Sequence, residues 1–191
     1  IMIIWFVNLF NFLDGIDGYL GVETFFITGF IGVYFADAAA LSFAAIIVGF
    51  LLLNWPKAKV FMGDVGSTLI GFNVAVFALY YQNTEKSSLV IWLMLSSLFW
   101  LDATLTLFRR YRNKEKLMVA HKKHAYQRIV QAGYSHQKTL FYSIGINISI
   151  LGMTVLAIVY KQYSLLLLFL NVLMLYGVDR LISRKKSFPT E

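Results

Sequence analysis

The chain has 191 residues, of which 59% are hydrophobic and only 14% charged, and it carries a net charge of +7. Ordinary soluble domains hold roughly 25% charged residues, so this composition excludes a soluble globular domain and indicates a polytopic membrane protein. There is no cysteine, which excludes disulfides and thiolate metal sites.

In chain order the sequence predicts an all-α, polytopic transmembrane helix bundle with a partial N-terminal span and about six full ones. The partial span covers about 1–13, and the others fall near 19–36, 38–55, 67–82, 88–108, 138–160 and 163–182. The second and third segments are short for a hydrocarbon core of about 30 Å, which predicts tilt or local thinning. No repeat, linker or low-complexity segment divides the chain, so 1–191 reads as one integral membrane domain. It opens on Ile1-Met2-Ile3-Ile4-Trp5, already inside an apolar run, and reads as a sequence entered partway through a helix.

Charge placement orients the spans. If the segment 8–18 lies in the cytoplasm, so do 54–66, 109–138 and the tail from Arg180. Fifteen Lys and Arg residues then face the cytoplasm, and only Lys86 and Lys161 face the other side. The positive-inside rule favours this orientation and accounts for the basic charge without nucleic acid.

Three polar segments then share one membrane face. The first is Asn8-Leu9-Phe10-Asn11-Phe12-Leu13-Asp14-Gly15-Ile16-Asp17-Gly18. Three helical steps advance about 300°, so Asn8, Asn11, Asp14 and Asp17 drift slowly around one side of a helix and its end. A polar turn capping the next helix explains one aspartate. It does not explain Asn8 and Asn11, which would cost energy facing lipid. Acids at a membrane boundary are expensive and usually functional.

The second segment is Phe61-Met62-Gly63-Asp64-Val65-Gly66-Ser67. Its glycines admit close backbone approach, a helix N-terminus favours anions, and one carboxylate suits a Mg²⁺ ion that also binds substrate phosphates. An ordinary helix cap is the competing reading. Lys57 and Lys59 satisfy the orientation rule, and Phe61 either packs or stacks on a base.

The third segment is the basic loop 109–138, with His121, His124 and His136. His121 and His124 lie three apart, and Lys122, Lys123 and Arg128 surround them. Zinc would need a further ligand in defined geometry. The mixture suits a diphosphate, or else anionic lipid headgroups. Asp102 and Glu23 sit inside apolar spans. Each faces a polar cavity or is satisfied locally in the bundle. Asp179, beside Arg180, reads as a boundary charge.

These residues resemble a known family. Asn8-x-x-Asn11-Phe-Leu-Asp14-Gly-Ile-Asp17-Gly, then Asn54, then Lys59-Val-Phe61-Met-Gly-Asp64-Val-Gly-Ser67, then a histidine-bearing loop, are similar in kind and order to the polyprenyl-phosphate N-acetylhexosamine-1-phosphate transferases. That family includes the phospho-N-acetylmuramoyl-pentapeptide transferase and the initiating transferases of O-antigen and teichoic acid synthesis. The resemblance implies transfer of an N-acetylated amino-sugar 1-phosphate from a UDP-sugar to polyprenyl phosphate, with release of UMP, at the cytoplasmic face of the bacterial inner membrane. It implies Mg²⁺, or Mn²⁺ in its place, on Asp64. It implies catalytic roles for Asp14, Asp17, His121 and His124. It places Asn8, Asn11, Glu23, Asn54, Phe61, Asp102 and Arg128 around the substrates, with Asn54 and Phe61 at the uracil. The implied partners are a UDP-amino sugar, the polyprenyl phosphate lipid and the membrane, with a homodimer allowed and no nucleic acid.

Two departures stand out. The family carries an adjacent aspartate pair in an earlier loop, and this chain has no Asp-Asp. That suggests a C-terminal portion lacking about four helices. The loop reads His121-Lys-Lys-His124-Ala-Tyr126-Gln127-Arg128 in place of three adjacent histidines, which looks more like the O-antigen branch. The competing classes are a noncatalytic transporter or scaffold and an inactive nucleotide-binding relic. Transporters place their broken helices and sites near the midplane, whereas these motifs gather at one face.

Overall fold

The computed structural model describes residues 1–117, 119 and 121–189. Among them the regular structure is helical: α1 Met2–Phe12, α2 Tyr19–Tyr34, α3 Ala38–Asn54, α4 Gly63–Asn83, α5 Leu89–Leu95, α6 Ser97–Arg112, α7 Ala125–Gln131, α8 His136–Val159 and α9 Ser164–Lys185, with a 3₁₀ turn Lys161–Tyr163 before α9. Three of these, α4, α8 and the last helix with its 3₁₀ turn, are long and apolar enough to cross a membrane. α5 and α6 make a fourth if the bent pair is counted as one span, and α1, α2 and α3 are shorter apolar helices. The chain is a multi-pass helical membrane protein.

Local chemistry fixes the ends. Asp37 caps α3 by accepting from Ala40 N at 2.9 Å. Ser135 caps α8 by accepting from Lys138 N at 3.2 Å. Gly18 adopts φ +75° just before α2, a conformation other residues resist. Arg109, Arg110 and Arg112 end α6, where the carbonyl end of the helix dipole favours cations.

Two expectations need correction. The span predicted at 88–108 is not straight, because α5 and α6 meet at Ser96 with a bend of 76°. The Trp100 indole donates to Leu93 O at 2.8 Å across that bend, a contact two turns apart along a straight helix. The span predicted from 67 begins at Gly63, so Asp64 lies in the first turn of α4 rather than in a loop before it.

Aromatic and branched residues from α1, α2, α4, α5 and α6 fill the core, including Phe6, Phe10, Tyr19, Tyr81, Trp92 and Phe99. Hydroxyls within helices bond back to their own carbonyls, as Thr24 does to Leu20 and Thr154 to Ile150. In an apolar surround this satisfies them without water. The outer faces of α8 and α9 expose Ile148, Val155, Leu165, Phe169 and Leu173, as a lipid-facing surface should.

Candidate active site

α1 and α4 build the acidic half of the site. Gly71 lies where α1 crosses α4. A Cβ there would stand 2.6 Å from the Phe6 carbonyl oxygen, so only glycine permits the approach. One turn above, the buried Ser67 hydroxyl donates to Asn11 Oδ1 at 2.8 Å. This register sets Asp14, just past the end of α1, near Asp64 on the first turn of α4. Burial, and then the Asp64 charge, raise the Asp14 carboxyl from 3.8 to about 6. Among the described residues neither side chain has a hydrogen-bond or ion-pair partner. Two carboxylates without a counter-charge suit a hard divalent cation. No group of three or more potential ligands occurs among the described residues, so phosphate and water would complete the shell.

Several expected substrate contacts are instead used inside the protein. Asp17 Oδ2 accepts from Ala58 N at 3.2 Å and lies 3.4 Å from His136 Nδ1, so it ties the 55–62 connection to the start of α8. Asn54 accepts from Gly18 N and donates to Val60 O, both at 2.8 Å. Its amide holds two loops together, where the resemblance implied a place at the uracil. Asn8 donates to Ile4 O within α1. Phe61 is 75% exposed and free to stack. Glu23 is buried and accepts from Asn147 Nδ2 at 2.9 Å between α2 and α8. Its Oε2 is engaged within the bundle, while its buried Oε1 has no hydrogen-bond partner among the described residues.

The second half of the site is the histidine loop. His121 Nδ1 accepts from Lys123 N at 3.4 Å, which leaves the proton on Nε2. Burial, and then the nearby His124, Arg110 and Lys123, push His121 down to about 4. At pH 7 it is a neutral donor. Its ring lies 4.9 Å from that of His124, which is 2% exposed. The outward histidine is therefore His121, and His124 backs it.

Asp102 holds this arrangement from below. Its Oδ1 accepts from Ala125 N at 2.9 Å and from Thr106 Oγ1 at 3.2 Å, with His124 Nδ1 3.5 Å away. Ala125 is the first residue of α7, so a carboxylate from α6 caps α7 in trans. Asp102 supports the loop through Oδ1, while its buried Oδ2 has no hydrogen-bond partner among the described residues.

The arginines are also structural. Arg128 has no exposed surface and donates to Asp179, Ser183 Oγ and the Lys186 carbonyl, and Arg109 donates to the same carboxylate. Arg128, expected at the substrate, is thus paired inside the protein, and Asp179, expected to be a boundary charge, is its buried partner. Arg110 donates to Glu115 and to the carbonyls of Lys116, Leu117 and Val119, and so fixes the loop around itself. Sequence spacing does not signal the pairing of Arg109 and Arg128 with Asp179, because these partners lie on different helices.

Both halves reach Tyr126. Burial comes first, then the charges of Asp102 and Asp14, in holding its hydroxyl protonated above the ordinary tyrosine range. The acidic turn and the histidine loop thus occupy one end of the bundle. A cavity of about 590 Å³ opens beside them, lined by Tyr19, Asp102 and Tyr126 and then by Leu101, Ile146 and Met174.

These features define a multi-pass helical membrane protein with a polar site at one end, between paired carboxylates and a neutral histidine. Residues 1–82 match the family model described as glycosyl transferase family 4. The chain is 30% identical to an undecaprenyl-phosphate alpha-N-acetylglucosaminyl 1-phosphate transferase of Yersinia pestis, over 90% of the chain and 51% of that protein. It is 29% identical to a probable undecaprenyl-phosphate N-acetylglucosaminyl 1-phosphate transferase of Bacillus subtilis, over 78% of the chain and 45% of that protein. It is 32% identical to a decaprenyl-phosphate N-acetylglucosaminephosphotransferase of Mycobacterium tuberculosis, over 70% and 40%. No solved structure matches it significantly. These matches support the polyprenyl-phosphate N-acetylhexosamine-1-phosphate transferases of glycosyl transferase family 4 as the family of this chain. It spans about half the length, or less, of the curated relatives it matches.

Proposed function

We propose that the protein transfers an N-acetylated amino-sugar 1-phosphate from a UDP-sugar to a polyprenyl phosphate in the bacterial inner membrane, initiating a cell-envelope glycan such as O-antigen. A lipid phosphate oxygen bonds to the sugar-linked phosphorus as the bond from that phosphorus to the UMP oxygen breaks. UMP leaves with the electron pair. The names of the relatives support the lipid and the amino sugar. The charge bias supports a site facing the cytoplasm, where UDP-sugars are made.

One observation carries this reading: Asp14 and Asp64 approach each other, without a counter-charge, at the end of the bundle that holds His121. They would hold Mg²⁺, or Mn²⁺, which when bound supplies positive charge to the phosphate oxygens. His121 donates from Nε2 to a diphosphate oxygen without adding net charge. Phe61, exposed beside α4, offers its ring to the uracil. The cavity beside Tyr126 gives the lipid chain an apolar path away from the site.

The test is UMP release by the complete protein with detergent-solubilised lipid phosphate. Asp64→Asn keeps the shape of the side chain and removes its charge. It should lower turnover by about 100-fold or more, since transition-state charge stabilisation is commonly worth several kcal/mol. Undiminished turnover at equal Mg²⁺ would remove Asp64 from the site.

A further inference from the structure

Tyr126 takes no part in the chemistry above, yet it stands between the acidic turn and the histidine loop. It is the second residue of α7 and is 3% exposed. Its ring lies between those of Tyr19, at 4.8 Å, and His124, at 6.0 Å, nearly parallel to both. Its hydroxyl donates to the carbonyl of Phe12 at 3.3 Å. Phe12 is the last residue of α1, and its carbonyl has no partner within that helix. Two residues further on stands Asp14.

The hydroxyl occupies a space that belongs to position 15. A Cβ on Gly15 would stand 2.1 Å from the Tyr126 oxygen, 3.0 Å from Cζ and 3.1 Å from Cε2. Real Cβ contacts do not reach the first of these distances. The glycine between the two aspartates is therefore required by Tyr126, independently of any turn preference.

We propose that Tyr126 is a positioning residue that sets the histidine loop against the Asp14 turn, with its hydroxyl seated in the gap left by Gly15. α7 has seven residues and cannot hold its own place. Arg128 ties it to Asp179 and Ser183 of α9, and its first turn is pinned at two neighbouring points, Ala125 N on Asp102 of α6 and the Tyr126 hydroxyl on the end of α1. His124, and His121 tilted against it, ride on that double attachment. Phosphoryl transfer depends on the spacing between metal-bound phosphate and donor, and a displacement of about 1 Å costs about 100-fold in rate. The joint rests on the transferase reading for its kinetic consequence, but not for its geometry.

The titratable and charged groups around the joint are Asp14 on the acidic turn, Tyr19 on α2, Asp102 on α6, and His121, His124 and Arg128 in the loop and α7. Tyr126→Phe leaves all of them in place and removes one oxygen atom.

Three variants of the complete protein test the joint: Tyr126→Phe, Gly15→Ala and the double variant. UMP release is read as kcat and KM, and hydrogen exchange is read over residues 121–128. Tyr126→Phe should lower kcat about tenfold with KM for the UDP-sugar little changed, and should speed exchange in α7 but not in α4 or α8. Gly15→Ala should lower kcat about 100-fold. The double variant should be more active than Gly15→Ala, because the remaining contacts at 3.0 and 3.1 Å need a shift of only a few tenths of an ångström. An added loss in the double variant, or wild-type kcat and exchange in Tyr126→Phe, overturns the joint. If Gly15→Ala does not accumulate, its recovery on adding Tyr126→Phe supports the joint and its continued absence counts against it. A wild-type protein that releases no UMP defeats the transferase reading. The exchange difference in Tyr126→Phe still decides the joint.

Discussion

Asp14 meets water only in part and faces the charge of Asp64, so its carboxyl keeps a proton to about pH 6. Its folded value is raised above the unfolded one. The charged form therefore costs the folded state, and the contribution present below about pH 4 is lost as pH rises through 6. In EDTA, the thermal midpoint of the solubilised protein should fall between pH 4 and 6, and Asp14→Asn should abolish that dependence. A divalent cation competes with the same proton. Below pH 6 the Mn²⁺ affinity, read by electron paramagnetic resonance, should weaken about tenfold per pH unit. A flat affinity between pH 5 and 7 would take Asp14 out of the metal site. His121 gives a second contrast at this scale. Removing one preorganised donor costs about 100-fold in rate, so His121→Ala should cut UMP release on that order. Lys116→Ala, in the same loop, should change it little. A response to charge alone would rank them the other way, because His121 is neutral at pH 7. The sequence marked the acids, with His121 and His124 together, as candidates through residue type and spacing. It did not separate residues that face a ligand from those that hold them. Asn54, Asp102 and Arg128 carry the same chemistry as ligand contacts but spend it on Gly18, Ala125 and Asp179, which only the packing of distant helices brings near.

Among the elements, α9 joins α6 in holding the histidine loop, and Asp179 is its means. Both Arg109 and Arg128 donate to this one carboxylate, and Arg128 has no surface of its own. Asp179→Ala leaves a buried guanidinium without a counter-ion, and removing one partner of such a pair costs about 3–5 kcal/mol. The thermal midpoint should fall accordingly. Asp179→Glu, which keeps the charge, should lose less. The break between α5 and α6 shows a milder coupling. Ser96 donates back to Trp92 O, while Ser97 accepts from Asn171 Nδ2 on α9 at 2.8 Å. A double-mutant cycle on Asn171→Ala and Ser97→Ala should return about 0.6 kcal/mol, the size typical of hydrogen bonds between membrane helices. A value near zero would mean that the bend is set by packing alone. The apolar segments were visible as hydropathy, and their ends agree closely with α1, α2, α3, α8 and α9. The bend at Ser96 was not visible, because a serine pair in an apolar run is compatible with a straight helix. Its partner lies 74 residues away.

At the scale of the whole molecule, the proposed activity depends on which side of the membrane the site faces. Fifteen basic residues on one side against two on the other set the expectation. The acidic turn and the histidine loop sit on the richer side, and Lys86 lies at the far end of α4, beyond Asn83. The chain has no cysteine, so single cysteines can be introduced without background. In spheroplasts, a membrane-impermeant maleimide should label Lys86→Cys at once. It should label Lys116→Cys and Lys59→Cys only after the membrane is opened. Both of these lysines are exposed, so lack of reaction would report the barrier and not burial. The reverse pattern would place Asp14, Asp64 and His121 outside, away from the cytoplasmic pool of UDP-sugars. The geometry of the site would survive that result, but the proposed donor would not, because a nucleotide sugar cannot cross the bilayer to reach it. Labelling of all three positions from outside would instead mean that Lys59 and Lys86, at opposite ends of α4, share one face, and that α4 does not cross.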